Sequence, residues 1–288
     1  MRIKRFLLHT AVVLAVLIIA MLAGASLFIY WGVYNVSALQ QHTRPVFWLL
    51  DIAMRRSIHE RAEEIRVPPL SDPALIERGF YHFREKCVQC HGAPGIAQDA
   101  IGKGLTPLPA NLVETAREWT AAEIYWTVKQ GVKMTGMPAW KFTYEEEDLW
   151  AIVAFIKQLL PKLSPEEYRA MDRALVNKPM RQAVRRDREE AQRTVGSDPE
   201  RGRLAIDNYA CTACHTIPGV VGPAVHVGPP LRGVGTRKYI AGVLPNTPKN
   251  MIRWIRDPQE VDPPMAMPDL DMKESDARDI AAYLYTLE

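Results

Sequence analysis

An all-α chain, with an apolar N-terminal helix followed by two copies of one small helical domain, is the fold the sequence predicts. Three observations carry that prediction. CVQCHGAPG, from Cys87 to Gly95, returns as CTACHTIPG, from Cys211 to Gly219, and the two copies use all four cysteines of the 288-residue chain. Each copy lies between a helix-start signal and a closing run of helical periodicity. Near the N-terminus, an uncharged apolar run is long enough to form a helix of its own.

That N-terminal run comes first. Arg2, Lys4 and Arg5 precede apolar sequence from Phe6 to about Tyr34. At ~1.5 Å per residue, the uncharged part from Ala11 to Trp31 reaches across a bilayer core. The basic residues before it place the N-terminus in the cytoplasm and the remainder on the far side. A cleaved signal peptide is the alternative, because Ala23-Gly24-Ala25 has the small residues of a cleavage site. Leu27, Phe28, Ile29, Tyr30 and Trp31 continue the apolar run beyond that site, and Tyr30, Trp31 and Tyr34 suit an interfacial aromatic belt. Residues 1–36 are therefore read as an uncleaved, single-pass membrane anchor.

Residues 37–70 read as a connector helix. Val46, Phe47, Leu49, Leu50, Ala53, Met54, Ile58, Ala62 and Ile65 recur at helical spacing opposite Arg55, Arg56, Glu60, Arg61 and Glu64. Such a helix either lies on the membrane surface or packs against the next domain. Val67-Pro68-Pro69 ends it.

The repeat then sets the domains, 71–160 and 197–288. Ser71-Asp72-Pro73 and Ser197-Asp198-Pro199 each place Asp at an N-cap and Pro at the first helical position. Glu77-Arg78-Gly79 and Glu200-Arg201-Gly202 follow, then the Cys motifs, then Met137-Pro138 and Met267-Pro268. Each copy closes with an apolar helical pattern, Leu149–Ile156 and Ile280–Tyr285. Residues 161–196 between them are charged and helix-prone, with Ser164-Pro165-Glu166-Glu167 as a cap, and read as a mostly solvated helical linker. The formal charge of +3 is too small to argue for nucleic acid as a partner. Its excess sits in residues 1–70, with 8 Lys/Arg against 4 Asp/Glu, and in 158–197, with 9 against 6, away from both motif-bearing segments.

Cys-x-x-Cys has three common uses. A zinc site wants a second pair about 15–20 residues away, and here the pairs are more than a hundred apart. A thioredoxin-like site wants a βαβ pattern, which is missing. The third use requires His directly after the second Cys, and His91 and His215 supply it. Cys-x-x-Cys-His is the attachment signature of c-type haem. On one turn of helix, the thiols Cys87 and Cys90, or Cys211 and Cys214, reach two vinyl groups on one haem edge, and the next imidazole faces the iron. Two covalently held haem c groups are therefore expected.

The sixth ligand decides what each iron does, and a thioether there raises the potential and suits electron transfer. Met134 and Met137 are available in the first copy, Met265 and Met267 in the second. Only Met137 and Met267 precede Pro, and they follow their His by 46 and 52 residues, so the repeat favours them. A second His is the alternative; His82 precedes Cys87 on the same helix and is expected to face elsewhere, and His226 sits in a Pro/Gly-rich loop.

Over residues 72–160 and 197–288 the sequence resembles class I c-type cytochrome domains. In that family an N-terminal helix with a Gly crosses the C-terminal helix; Gly79 with Phe83, and Gly202, resemble that contact, against the helices of Trp150/Phe155 and of Tyr283. Gly79 lies eight residues before its Cys and Gly202 nine, which predicts a shifted register in the second crossing. Gly228-Pro229-Pro230-Leu231 resembles the loop whose proline carbonyl, here that of Pro229, accepts the hydrogen bond from the axial imidazole. Trp254 through Pro258, then Pro263, follow the family's spacing from an aromatic pocket residue, Trp254, to Met267, which selects Met267 over Met265. Pro107–Leu112 departs from the Gly-Pro-x-Leu pattern and leaves the partner of His91 unassigned.

The resemblance implies electron transfer on the periplasmic side of a bacterial cytoplasmic membrane. The expected role is a carrier or electron-carrying subunit, not an enzyme, passing electrons from a cytochrome bc-type complex or a dehydrogenase to a haem-copper oxidase. The alternative is a dihaem peroxidase-type enzyme, which requires one iron with an open distal side.

Overall fold

The computed structural model describes residues 2–176 and 196–287. The rest of the expected linker, 177–195, lies outside the described residues. Helix α1 (Arg2–Tyr30) contains a stretch, Phe6–Tyr30, long and apolar enough to cross a bilayer, and none of its side chains is buried against the rest of the chain. Helix α2 (Arg44–Ala62) follows, opened by Pro45 at its first turn. Its C-terminal half is seated on the first domain: Ile58 and Ala62 are buried, and Arg55 and His59 pair with Glu118 and Glu123. Of the two roles open for the connector, packing against the next domain is thus realised by this half.

Both domains start as their sequences dictate. In α3 (Pro73–His82), the Asp72 carboxylate accepts the N–H of Ala74 at 3.0 Å, satisfying a donor that the first turn leaves unpaired. A five-residue π turn, Phe83–Cys87, carries the chain into α4 (Val88–His91). Short helices α5 (Ala100–Gly104) and α6 (Leu112–Glu118) precede α7 (Ala121–Gln130), which opens with a Thr120/Glu123 capping box. Helix α8 (Glu146–Ala154) crosses α3 and buries Leu149 through Phe155 in the first core.

The expectation of a mostly solvated linker fails over its first part. Helix α9 (Pro165–Val176) is capped reciprocally by Ser164 and Glu167 as its sequence predicts, but Tyr168 is 1% exposed and meets Phe80 edge-on at 5.3 Å. Tyr168, Met171 and Leu175, spaced three and four residues apart on one face of the helix, pack it back onto the first core.

The second domain repeats the plan. Asp198 caps α10 (Pro199–Asn208), accepting from Glu200 and Arg201, and a two-stranded hairpin pairs β1 (Tyr239–Ile240) with β2 (Leu244–Pro245). Helices α11 (Pro248–Arg256), α12 (Pro258–Val261) and α13 (Glu274–Leu284) complete it. Its core includes Ile206, Met251, Trp254, Ile255 and Ile280.

One side chain of the first domain belongs to this second core. Phe142, five residues after Met137, is 5% exposed and packs among the residues of the second cluster. Beside it Lys273 Nζ reaches Glu145 Oε1 at 2.7 Å, with the lysine side chain 4% exposed. A buried ammonium is tolerated only where it is paired, so this contact fixes how the two domains meet.

Glycine sets the two helix crossings. A Cβ on Gly79 would lie 1.8 Å from the Ala151 carbonyl oxygen, and one on Gly202 2.0 Å from that of Asp279. The expected register shift is absent. Phe155 and Tyr283 each lie four residues after the crossing point, and each helix places an Arg just before its Gly on an Asp three residues before that point, Arg78 on Asp148 and Arg201 on Asp276. The extra residue is absorbed after α10, where Ala210 takes φ +54° before the turn Cys211–Ala213, in place of the continuous π turn of the first copy.

Gly79→Ala is expected to destabilise the first domain by more than about 2 kcal/mol, because backbone carbonyl atoms cannot move aside as a flexible side chain can. Gly104→Ala, whose Cβ meets nothing within 4 Å, is expected to leave stability unchanged or raise it by up to about 1 kcal/mol. Denaturant titration distinguishes the two. Phe142→Ala is expected to cost about 3 kcal/mol in the unfolding transition of the second domain, although the substitution lies in the first.

Candidate haem sites

The two Cys-x-x-Cys-His segments begin where the crossed helices end. No disulfide joins any of the four cysteines. Burial, with the neighbouring Cys90, pushes the Cys87 thiol up to about 12, and burial pushes Cys211 up to about 11. Cys90 is also raised, by burial and then by Asp99. Cys87 packs against the first core and Cys211 against the second, so in each copy the first thiol of the motif sits on an apolar surface. Gly102 lets α5 close over the first motif, for a Cβ there would lie 2.9 Å from the Cys90 Cα.

Each imidazole is held by a backbone carbonyl. His91 Nδ1 lies 2.8 Å from Ala110 O, and His215 Nδ1 lies 2.8 Å from Pro229 O. A carbonyl oxygen can only accept, so Nδ1 carries the proton and donates in both, and Nε2 is the nitrogen left for a metal. Burial lowers the pKa of His91, partly offset by its bond to Ala110, so the ring is neutral at pH 7. Gly228 lets its loop lie against the His215 ring: a Cβ there would be 2.4 Å from Cε1. Pro229 thus stands where the Gly-Pro-x-Leu pattern predicts. Ala110, the residue that sequence reasoning missed, occupies the same role in the first copy. The surviving signal was the leucine two residues on, Leu112 and Leu231.

The methionines separate in part. Met134 is 86% exposed with φ +60°, whereas Met137 packs against the first core. The Met137 loop is tied at several points: its N–H donates to Thr135 Oγ1, its carbonyl accepts from Val132, and Gly131 at φ +67° leaves no room for a Cβ beside Pro138. Met265 and Met267 both pack against the second core, so burial does not divide them. Trp254 is buried in that core on α11. His82 does face elsewhere, as its position predicts: it is buried, 2.8 Å from Asp148. His226 is exposed.

The donor set fits haem c: in each copy two cysteines one helical turn apart, the first packed on the core, an imidazole with Nε2 left over, and a methionine packed on the same core. Comparisons with known proteins agree. Residues 74–156 match the family model for cytochrome c oxidase, cbb3-type, subunit III, and residues 199–288 match the model for cytochrome c. The chain therefore carries two cytochrome c domains, and it is a protein of haem-based electron transfer. Its cofactors are two covalently bound haem c groups, at Cys87/Cys90 and Cys211/Cys214.

Among curated proteins, it is similar to a cytochrome c oxidase subunit 2 of Alkalihalophilus pseudofirmus, 37% identical over 88 residues, covering 30% of this chain and 25% of that protein. A cytochrome c oxidase subunit 2 of Bacillus sp. strain PS3 is 37% identical over 76 residues, covering 25% and 21%. The chain thus spans a quarter or less of the length of these relatives. No solved structure matches.

The helix that delivers Cys87 is tied down through Asp148, which receives both Arg78 Nε at 2.6 Å and His82 Nε2. Burial by itself would raise this carboxyl, but the bonds and charges of His82 and Arg78 outweigh it and lower the pKa to about 2. A carboxyl that titrates near ~3.9 in the unfolded chain therefore stabilises the fold above that pH, and the contribution is lost as pH falls through about 2. Stability measured by denaturant between those limits is expected to fall steeply in the native protein. In Asp148→Asn the slope is expected to flatten and stability at neutral pH to be lower.

Proposed function

We propose that the chain is a membrane-anchored dihaem electron carrier whose two irons are each held by His and Met. His91 with Met137, and His215 with Met267, would hold the two irons. The observation that carries this reading is the duplicated second contact of the imidazoles, Nδ1 to a backbone carbonyl at 2.8 Å in both copies. Such a contact fixes the ring, keeps Nε2 basic and orients it as a ligand. When bound, haem c supplies a reversible one-electron iron couple.

The chain's own residues do the rest. Phe80, Phe83 and Phe155 in one domain, and Ile206, Trp254 and Ile280 in the other, keep water out of the core beside each motif. Thr135, Val132 and Gly131 hold the Met137 loop in one shape, so little structure has to rearrange when the charge of the site changes by one. Phe142 and the Lys273–Glu145 pair hold the two domains in one relation, so an electron entering one domain has a fixed path to the other.

Residues 1–36 serve as the anchor, with the haem domains on the periplasmic side of a cytoplasmic membrane. The acceptor is an oxidase-type partner. Support comes from the cbb3-type subunit III model over the first domain and from the two oxidase subunit 2 relatives, each matched over only part of its length. The donor is a cytochrome bc-type complex or a dehydrogenase, and the chain itself has no substrate to turn over.

Carbon monoxide tests the ligation. The reduced protein, with two haems counted by pyridine haemochrome, is expected to keep its spectrum unchanged under carbon monoxide. Met137→Ala and Met267→Ala are each expected to make one haem of the two reactive, while Met134→Ala and Met265→Ala leave both closed. Rapid binding by the unaltered protein would instead mean an open iron and favour a peroxidase-type enzyme.

A further inference from the structure

Helix α2 is seated on the first domain by only one of its ends. From Ile58 onward it is packed, but Phe47, Trp48, Leu49, Leu50 and Ile52 are all exposed, Trp48 at 64% and Leu49 at 61%. At about 100° per residue, four consecutive apolar side chains point to every side of the helix. No single flat surface of the chain covers them, and water is a poor environment for such a cluster.

The loop before α2 shows where this end lies. The Tyr34 hydroxyl is hydrogen-bonded to His42 Nδ1 and the two rings stack at 6.2 Å, so the chain that leaves α1 is closed back on itself. Tyr34 is four residues beyond the end of α1, and His42 is two residues before Arg44, where α2 begins. The first turns of α2 are therefore held beside the exit of the membrane-length helix. Val36 and Leu39, at the tip of the closed loop, are 91% and 96% exposed. Arg44 and Arg56, both exposed, flank the apolar cluster and suit phosphate headgroups above an acyl layer.

We infer that the start of α2, Phe47–Ile52, together with Val36 and Leu39, dips into the bilayer leaflet on the side of the haem domains. The occupant of the patch is lipid, not a second protein: between residues 46 and 50 the one hydrogen-bonding side-chain group is the indole N–H of Trp48, which suits a membrane interface, and the Tyr34–His42 contact draws the start of α2 toward the end of the membrane-length helix. Its consequence is mechanical. A helix with one end in the leaflet and the other locked to Glu118 and Glu123 holds the first haem domain at a set height and tilt above the membrane, facing membrane-embedded partners. This inference rests on the anchor reading of residues 1–36.

The test uses the full-length holoprotein in nanodiscs of phosphatidylcholine and phosphatidylglycerol that carry a diazirine in mid-acyl chain. After irradiation, lipid adducts are mapped by peptide mass spectrometry. Adducts are expected on α1 and on residues 47–52 but not on α10, and Trp48→Gln with Leu49→Gln is expected to lose those on 47–52 while keeping those on α1. Adducts on α1 alone would overturn the inference and leave the anchor standing, with the patch free for a protein partner. Adducts on neither would mean that the anchor reading itself fails.

Discussion

Each half of this protein depends on one backbone-to-backbone approach, the crossing of its first helix over its last at a glycine. Only glycine allows it, since a Cβ would fall within about 2 Å of a carbonyl oxygen in either copy. That approach sets everything downstream. It brings Arg78 and Arg201 onto buried Asp148 and Asp276, and it fixes the direction in which the helix delivers its first cysteine. It also sets the Phe83 ring against that of Phe155, tilted, with centroids 5.0 Å apart. Each Cys-x-x-Cys-His motif follows directly from a crossing that its domain cannot loosen without losing the ion pair beside the glycine.

Conservation of the crossing and divergence around it are both visible within one chain. The two copies keep Gly, Arg and Asp in the same relative positions, yet reach their cysteines differently, through a π turn in one and a left-handed Ala210 in the other. They keep the imidazole-to-carbonyl bond while changing its acceptor from Ala110 to Pro229. What persists is the geometry that the iron's ligand needs, and the residue supplying a backbone carbonyl is free to vary. The halves are also unequal in their mutual contact, since Phe142 leaves the first domain to complete the core of the second.

Much of this was legible in the sequence because it is written in side chains with local signatures. The caps at Asp72, Asp198 and Ser164, the Cys-x-x-Cys-His motifs, the membrane-length helix and the crossing glycines all follow from short patterns. The partner of His91 was not legible, because a backbone carbonyl has no side chain to read and the loop that presents it departs from the expected pattern. Tyr168 and Phe142 were missed for another reason. Tyr168 is a single aromatic in a charged stretch, Phe142 one of three aromatics alternating through a loop with Trp140 and Tyr144, and the burial of each depends on a surface that other parts of the chain create. The absence of a register shift was likewise hidden, since residue counts from Gly to Cys do not say where an extra residue is absorbed.

The proposed function requires that His and Met close the iron in both copies on the same frame. Proton NMR of the reduced holoprotein tests it most directly, because a methionine methyl held over a haem ring is shifted far upfield by the ring current. Two such methyl resonances are predicted, one lost in Met137→Leu and the other in Met267→Leu. A single resonance, or one that survives both substitutions, would contradict that requirement.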